Sequence, residues 1–129
     1  MNKSMASKIS TSLIISTYNR SDALELCVKS VLRQSLLPDE IIIADDGSKE
    51  ETGELIHQLA TTSVVPIIHV WHEDLGFRLA TIRNKAIVKA TKEYIIQIDG
   101  DIVLHKDFVK DHVRFAHEMI TGSVPGDAY

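Results

Sequence analysis

A single cysteine occurs among the 129 residues, so no disulfide can form within one chain. That residue, Cys27, falls on the apolar face of a predicted helix, which favours a small buried hydrophobic side chain over a nucleophile or a metal ligand. Disulfides mark oxidising compartments, and a lone cysteine fits a reducing one. We therefore expect a cytoplasmic protein.

Long apolar runs and a secretory signal are also absent. The longest apolar stretches, at 12–16 and 40–44, are strand-sized, whereas a membrane-spanning helix needs about 20 apolar residues. Residues 1–11 are polar and lack both an apolar core and a small-residue cleavage site, so we expect a flexible leader there. The sequence predicts no membrane span.

A basic excess is missing as well, because 14 Lys and Arg face 18 Asp and Glu, for a formal net charge of -4. Proteins that bind duplex nucleic acid usually carry a clustered basic excess, so nucleic acid is not an expected partner. Apolar residues make up 44% and charged residues 25%, as in ordinary globular proteins. A chain of this length buries one core, which predicts one domain or part of a larger one.

Short strand patterns alternate with amphipathic helix patterns along the chain. Asn19 and Ser21 are suitable caps for the first helix, and 48–51 has the pattern of a capping box for the second. Strands are predicted at 12–17, 40–44, 66–70 and 94–98. The helices are expected to bury Leu24, Cys27, Val28, Val31 and Leu32; Leu55, Ile56 and Leu59; Leu79, Ile82, Ala86, Ile87 and Ala90; and Phe108, Phe115 and Met119.

This alternation predicts an α/β, Rossmann-like fold, with right-handed βαβ units and a mostly parallel sheet flanked by helices. Ligands of such sheets bind outside the carboxyl ends of the strands. Three of the four predicted strands end in polar residues that are not ordinary turn sequences. We therefore expect the functional site at that edge.

Two carboxylates, Asp99 and Asp101, flank Gly100 directly after the fourth strand. Gly100 lets the backbone turn and a ligand approach closely. Mg²⁺ and Mn²⁺ take oxygen ligands and commonly bridge carboxylates to substrate phosphates, so the pair suggests a metal-diphosphate site. A solvated turn is the alternative for an isolated Asp-Gly-Asp, since these residues are common in turns.

A second acidic strand end is formed by Asp45 and Asp46, before Gly47 and Ser48. Two adjacent carboxylates repel unless a donor or a cation offsets them, and a nucleobase or a ribose would supply such a donor. The alternative is that one aspartate assists the cap at Ser48 and the other faces water. The presence of Asp99 and Asp101 at a neighbouring strand end favours the ligand.

Other polar residues near the strand ends carry less information. Arg83, one turn beyond Leu79 in the third helix, needs an anionic or planar partner and is a candidate ligand, whereas Arg78 is expected at the surface. Thr17 and Tyr18 could offer backbone groups and an aromatic face to a base or a ribose. The histidines have no tight ligand spacing and are expected mostly at the surface, with His105 the one candidate exception; they are His57, His69, His72, His105, His112 and His117.

Taken in order, these segments resemble the start of the family 2 inverting glycosyltransferases of GT-A fold. The resemblance rests on four motifs and covers about 12–108. The Gly-Phe-Arg-Leu-Ala sequence followed by Arg-Asn is most similar to the bacterial branch of chondroitin-polymerase-like enzymes. The motifs are Thr17-Tyr18-Asn19-Arg20, Asp45-Asp46-Gly47-Ser48, Gly76 to Asn84, and Asp99-Gly100-Asp101.

The resemblance implies a nucleotide-sugar-binding part at 12–120 and a role for each motif. Asp99 would lie near the ribose and the metal, and Asp101 would be the main protein ligand of a Mn²⁺ or Mg²⁺ between the phosphates of a UDP-sugar. That metal would offset charge on the departing diphosphate. The residues implied to border the uridine are Thr17, Tyr18, Asp45, Asp46 and Arg83.

The family places its catalytic base, and often a metal-ligating histidine, on a later segment that also binds a glycan acceptor. No residue of this chain is assigned as the base, and we expect 121–129 to be a truncated tail. The isolated polypeptide would then bind a donor without transferring sugar. Exposed apolar surface on such a piece would favour self-association.

Two other classes share parts of the pattern. The sequence from Ile98 to Leu104 resembles the nucleophile motif of haloacid-dehalogenase-type phosphatases, but that motif normally opens its domain, and here only a helix and a tail follow. A receiver domain has a similar length and architecture, but its acidic pair ends the first strand, which here ends in Tyr-Asn-Arg. UDP with Mn²⁺ and beryllofluoride with Mg²⁺ would distinguish the classes by titration.

Overall fold

The computed structural model describes residues 9–122, in which four strands and four helices alternate. This alternation confirms the α/β prediction. In chain order the elements are β1 (Thr11–Thr17), α1 (Ser21–Leu32), β2 (Glu40–Asp45), α2 (Glu50–Thr62), β3 (Ile67–Trp71), α3 (Leu79–Lys89), β4 (Tyr94–Asp99) and α4 (Phe108–Thr121).

The four strands form one parallel sheet in the order β3-β2-β1-β4. Every residue of β1 and β2 is buried, because both faces of the centre are covered. Ile15 pairs with Ile43 on one side and with Ile98 on the other. The parallel pairing brings all four carboxyl ends to one edge.

The two faces of the sheet pack against different helices. Ile14 and Ile42 pack with Ile82 and Ala86 of α3 on one face. The opposite face forms the larger cluster, in which α1, α2 and α4 cover β1, β2 and β4. Its buried members are Leu13, Ile15, Leu24, Cys27, Val28, Val31, Ile41, Ile43, Ile56, Val65, Ile96, Ile98 and Val109.

The predicted stripes of α1 and α2 are confirmed, but those of the last two helices were partly wrong. In α4, Phe115 and Met119 are exposed, and Val109 and Ala116 are buried instead. The N–H of Val109 donates to the buried Oε1 of Gln34. The inward face of α4 is therefore the one that carries Val109 and, two turns later, Ala116. In α3 the same geometry turns Ile87 outward, next to the buried Ala86.

Neither expected side-chain cap forms in the structure. Arg20 precedes α1 and Lys49 precedes α2, each without a side-chain cap hydrogen bond. Asn19, at φ 49°, instead joins the ends of β1 and β2. Its N–H donates to Ser48 Oγ, and its Oδ1 accepts the Lys49 N–H. The two polar residues are used to connect strand ends, which leaves neither free to cap its own helix.

At both ends of the described residues, the packed part of the fold extends further than the sequence predicted. Ile9 is buried, and Ser10 accepts from and donates to Glu93, so these residues of the expected leader are packed against the fold. At the other end α4 includes Thr121 and ends at Gly122, at φ 72°. The remainder of the expected leader and tail lies outside the described residues. Within 9–122, no helix is both long and apolar enough to cross a membrane.

Two glycines allow backbones to meet at the carboxyl edge. Gly47 has a φ of 91°, and a Cβ there would lie 2.6 Å from the Asp74 Cα. Gly100 donates its N–H to the Ser16 carbonyl at 2.7 Å, and a Cβ there would lie 2.6 Å from the same oxygen. The approach of Gly47 to Asp74, and that of Gly100 to Ser16, therefore requires glycine at both positions.

The close approach of Gly100 predicts opposite effects of alanine at two glycines. Gly100→Ala should destabilise the fold by about 2 kcal/mol, because the new methyl overlaps a backbone oxygen that cannot move away freely. Gly53→Ala is the matched control inside α2, where a Cβ meets only His69 Cε1 at 3.8 Å, and it should stabilise by up to about 1 kcal/mol. Urea unfolding followed by far-ultraviolet circular dichroism measures both. Equal unfolding midpoints for Gly100→Ala and the wild type would contradict the steric argument.

Candidate functional site

The carboxyl ends of β1, β2 and β4 are joined by backbone hydrogen bonds. The Asp46 N–H donates to the Thr17 carbonyl at 3.0 Å, and the Gly100 N–H donates to the Ser16 carbonyl at 2.7 Å. These bonds continue the sheet ladder past the last paired residues. The polar side chains that follow the strands are therefore held at fixed positions around β1.

A cleft of about 320 Å³ opens at this edge. It brings together Thr17, Tyr18, Asp46, Asp99 and Asp101, all of which were candidates from the sequence. Asp45 and Arg83 are not among the lining residues. The full lining consists of Ser16, Thr17, Tyr18, Arg20, Asp46, Phe77, Leu79, Asp99, Gly100 and Asp101.

The two carboxylates of the Asp-Gly-Asp segment have different environments. Asp99 accepts from Arg83 Nη2 at 2.8 Å and from Ser16 Oγ at 3.2 Å, both on its Oδ1. Asp101 is exposed, and its carboxylate makes no hydrogen bond or ion pair with any residue of 9–122. Arg83 therefore neutralises Asp99 from beside the cleft, and Asp101 retains its full capacity to bind a cation.

Asp46 is buried in the floor of the cleft and holds two donors. Its Oδ1 lies 2.6 Å from His72 Nε2, and its Oδ2 accepts the backbone N–H of Arg78 at 2.9 Å. His72 in turn lies 3.0 Å from the Lys85 ammonium through its Nδ1. A buried carboxylate requires such partners, because desolvation otherwise favours its neutral form.

Asp45 points away from this cleft. Its Oδ1 accepts the Ser48 N–H at 2.9 Å, and its Oδ2 lies 2.8 Å from His69 Nε2. Successive strand residues face opposite sides of a sheet, so Asp45 shares the side of Ile43, which faces α2. The structure therefore separates the two adjacent aspartates, and Asp45 connects the start of α2 to β3.

Thr17 and Tyr18 present different polar groups at the end of β1. Thr17 is 7% exposed, and its Oγ1 is buried without a hydrogen-bond partner. The Tyr18 hydroxyl donates to Asp74 Oδ2 at 2.7 Å, and this bond and the charge of Asp74 raise the pKa of Tyr18. The same bond, followed by one from the Gly76 N–H, lowers the pKa of Asp74. Tyr18 therefore stays neutral and fixed, with 48% of its surface open.

Cys27 is fully buried, as predicted. Burial raises the pKa of its thiol to about 11, with a further contribution from the negative charge of Asp101. A thiol with such a pKa is protonated at neutral pH and is a poor nucleophile or metal ligand. Its structural role is packing in the core under β1 and β4.

Sequence reasoning missed two residues of the site, His72 and Lys85. The expectation that most histidines are at the surface was wrong for His72, which is 7% exposed. His69 is held by Asp45, and burial lowers the pKa of His112. His105 is exposed on the segment before α4 and does not line the cleft. The position of His72 directly after β3 was the available signal, because this places it at the same edge as the aspartates.

Within residues 9–122, no three His, Cys, Asp or Glu side chains meet in an arrangement that could hold a metal ion. Asp99 and Asp101 are a pair, so an ion held there would take its other oxygen ligands from a bound molecule or from water. This requirement is characteristic of Mg²⁺, which keeps several waters and commonly shares its shell with substrate phosphates.

The sequence matches the model of the family described as glycosyl transferase family 2 over residues 12–126. It is 31% identical over 104 residues to a chondroitin synthase of Escherichia coli. The aligned region covers 80% of this chain and 15% of the relative. The chain thus spans a small part of the length of that relative. Such relatives agree with the chondroitin-polymerase-like branch expected from the sequence.

Two solved structures resemble the fold of this chain. S. aureus TarS 1-349 in complex with UDP has a TM-score of 0.69 and 23% identity, covering 85% of this chain and 32% of that one. The mannosyltransferase PcManGT from Pyrobaculum calidifontis, in complex with GDP-Man and Mn2+, has a TM-score of 0.70 and 23% identity, covering 79% and 30%. These likenesses confirm the GT-A fold. Because the family model spans nearly the whole chain, the protein belongs to glycosyl transferase family 2.

Proposed function

We propose that this chain is the donor-binding part of a glycosyltransferase, and that its cleft holds the nucleoside diphosphate of a UDP-sugar together with Mn²⁺ or Mg²⁺. The complete enzyme would transfer the sugar to a glycan acceptor in polysaccharide synthesis. One observation carries the proposal: the same cleft is lined by Thr17, whose buried Oγ1 has no hydrogen-bond partner, by Asp46, whose carboxylate is buried, and by Asp101, whose carboxylate is unpaired within residues 9–122.

The base would occupy the end of the cleft formed by Thr17, Tyr18 and Asp46. A carboxylate has about four acceptor sites, and the two protein donors on Asp46 leave room for another. The imide N–H of uracil is such a donor, and Thr17 Oγ1 can donate to a carbonyl of the same ring. The half-exposed Tyr18 ring offers an aromatic face for stacking.

The diphosphate would lie at the other end, beside Asp99 and Asp101. Their oxygens suit a hard divalent cation, and the lack of a protein partner on Asp101 makes it the stronger ligand of the two. Such an ion, when bound, offsets the negative charge of a departing diphosphate. Arg20 lines the mouth of the cleft and could contact an anionic ligand.

Arg83 would act indirectly through Asp99. Its guanidinium holds Asp99 Oδ1 at 2.8 Å while about a third of its side chain, 35%, remains exposed. The sequence resemblance implied that Arg83 borders the uridine, whereas Arg83 does not line the cleft and contacts Asp99 from beside it. Phe77, 88% exposed, adds an apolar wall that a bound donor would cover.

The names of the structural neighbours support this choice of ligand. One TarS structure contains UDP and another contains UDP-GlcNAc. The structure of PcManGT contains GDP-Man and Mn2+. A nucleoside diphosphate with a divalent cation is therefore the ligand that we propose for this chain, and the acidic pair gives it a place to bind.

The difference between the paired carboxylates predicts the metal dependence of UDP binding. Asp101→Asn should weaken binding of UDP with Mn²⁺ by about tenfold, because it removes an unpaired carboxylate. Asp99→Asn should have a smaller effect, because its amide oxygen can still accept from Arg83. Calorimetry with Mn²⁺ and with a chelator measures both. Binding that is independent of metal and unchanged in Asp101→Asn would remove the metal from this proposal.

The unpartnered hydroxyl of Thr17 predicts opposite changes in stability and binding. Thr17→Val keeps the shape and removes a buried oxygen that lacks a partner, so the ligand-free protein should gain up to about 1 kcal/mol. Its affinity for UDP should fall by roughly three- to tenfold, because the bond to the base is lost. Thr17→Ser keeps the hydroxyl and should bind UDP like the wild type. An unchanged UDP affinity in Thr17→Val would show that the base does not contact the Thr17 hydroxyl.

The opposite orientations of Asp45 and Asp46 predict different effects of the same substitution. Asp46→Asn should lower the preference for UDP over CDP by roughly tenfold, because an amide N–H then faces the ligand. Asp45→Asn should lower the melting temperature and leave the preference unchanged, because Asp45 only joins α2 to β3. Competition binding and thermal unfolding separate the two effects. Equal preferences in both variants would show that Asp46 does not contact the base.

A further inference from the structure

A chain of three polar side chains connects the cleft to helix α3. Asp46 Oδ1 lies 2.6 Å from His72 Nε2, and His72 Nδ1 lies 3.0 Å from Lys85 Nζ. Asp46 and His72 are almost completely buried, at 3% and 7% exposed. Neither His72 nor Lys85 lines the cleft, so they act on a ligand only through Asp46.

Lys85, at the end of this series of three side chains, fixes the direction of each hydrogen bond. The ammonium of Lys85 has three donors and no acceptor, so His72 Nδ1 must provide a lone pair. The proton of the neutral imidazole then sits on Nε2 and is donated to Asp46 Oδ1. On the other oxygen, Asp46 receives the Arg78 N–H at 2.9 Å. Both carboxylate oxygens are thus occupied by donors, and Asp46 has only acceptor sites left.

We infer that His72 and Lys85 are positioning residues that fix Asp46 as an acceptor towards the cleft and thereby select the nucleobase. This inference rests on the proposed binding of a nucleoside diphosphate. A base that presents a ring N–H to Asp46 is accepted, and one that presents a ring lone pair is rejected.

Uracil and cytosine differ at the ring nitrogen that would face Asp46, and also at the neighbouring exocyclic group, which is a carbonyl in uracil and an amino group in cytosine. Uracil carries a proton on its imide nitrogen, whereas the corresponding nitrogen of cytosine has a lone pair that would face a carboxylate oxygen. An unmatched polar pair in a buried site costs far more than the net value of one hydrogen bond. Guanine also has a ring N–H, so CDP, which is the same size as UDP, is the informative competitor.

The experiment compares UDP and CDP binding, with Mn²⁺, across two matched sets of variants of the full chain. His72→Leu removes the donor, His72→Gln keeps an N–H near the position of Nε2, and His57→Leu is the control at an exposed histidine of α2. Lys85→Met removes the ammonium, and Lys89→Met is its control one turn later in α3. Long-range proton–nitrogen spectra of the imidazole report the tautomer of His72 directly.

The wild type should prefer UDP, with His72 in the Nε2–H tautomer. His72→Leu should lower the preference by roughly tenfold, and His72→Gln should restore most of it. Lys85→Met should lower the preference by about threefold and shift His72 towards a mixture of tautomers. Both controls should match the wild type.

Different failures have different meanings. If the wild type selects UDP and a folded His72→Leu selects it equally, the positioning role is wrong and the proposed function stands. If His72→Leu does not fold, Lys85→Met decides: an unchanged preference together with an unchanged tautomer overturns the inference. An Nδ1–H tautomer in the wild type also overturns it. A wild type that binds neither diphosphate overturns the proposed function, and this inference with it.

Discussion

The pairing of β1 with both of its neighbours is the constraint on which the rest of the structure depends. Its backbone bonds to β2 and β4 continue past the strands, through the Asp46 N–H to Thr17 and the Gly100 N–H to Ser16. Segments far apart in sequence are therefore fixed within one hydrogen bond of each other. The glycine at position 100 is required there, because any side chain would overlap the Ser16 carbonyl.

The same edge gives four aspartates four different environments. Asp45 and Asp46 are buried and satisfied by donors on opposite sides of the sheet, whereas Asp99 is held by an arginine and Asp101 has no partner within the described residues. A buried carboxylate with fixed donors is rigid and selective, and an exposed one without partners retains its capacity for a cation. The arrangement thus gives the cleft two different ends, one that we propose for recognition of the base and one that we propose for binding of the cation.

Helix α3 contributes to both ends of the cleft, and within residues 9–122 it supplies the buried helix residues on its face of the sheet. Arg83 reaches Asp99, and Lys85 reaches Asp46 through His72. Ile82 and Ala86 anchor the helix in the core between these two residues. Charged and apolar residues alternate along the helix, so the packing that stabilises α3 also fixes the positions of Arg83 and Lys85. This is the physical reason why the hydrophobic face of α3 and its residues that contact Asp99 and His72 cannot be separated.

The sequence alone determined the order of the elements, the parallel sheet and the edge at which the polar residues gather, because these follow from local periodicity and from the handedness of βαβ units. The adjacency of Asp46, Asp99 and Asp101 also followed, since all of them end strands of one parallel sheet. The buried positions of the helices were predicted well in α1 and α2, as at Leu24 and Val28, and only in part in α3 and α4.

Only the tertiary structure decided which way each side chain points. It turned Asp45 away from Asp46, left Phe115 exposed, used Asn19 to connect two strands, and joined His72 to Lys85 across separate elements. Each of these outcomes depends on a partner that is distant in sequence, and side-chain periodicity carries no information about distant partners. Local patterns fix where a residue lies along an element, whereas the donor that satisfies a buried polar group is chosen by packing.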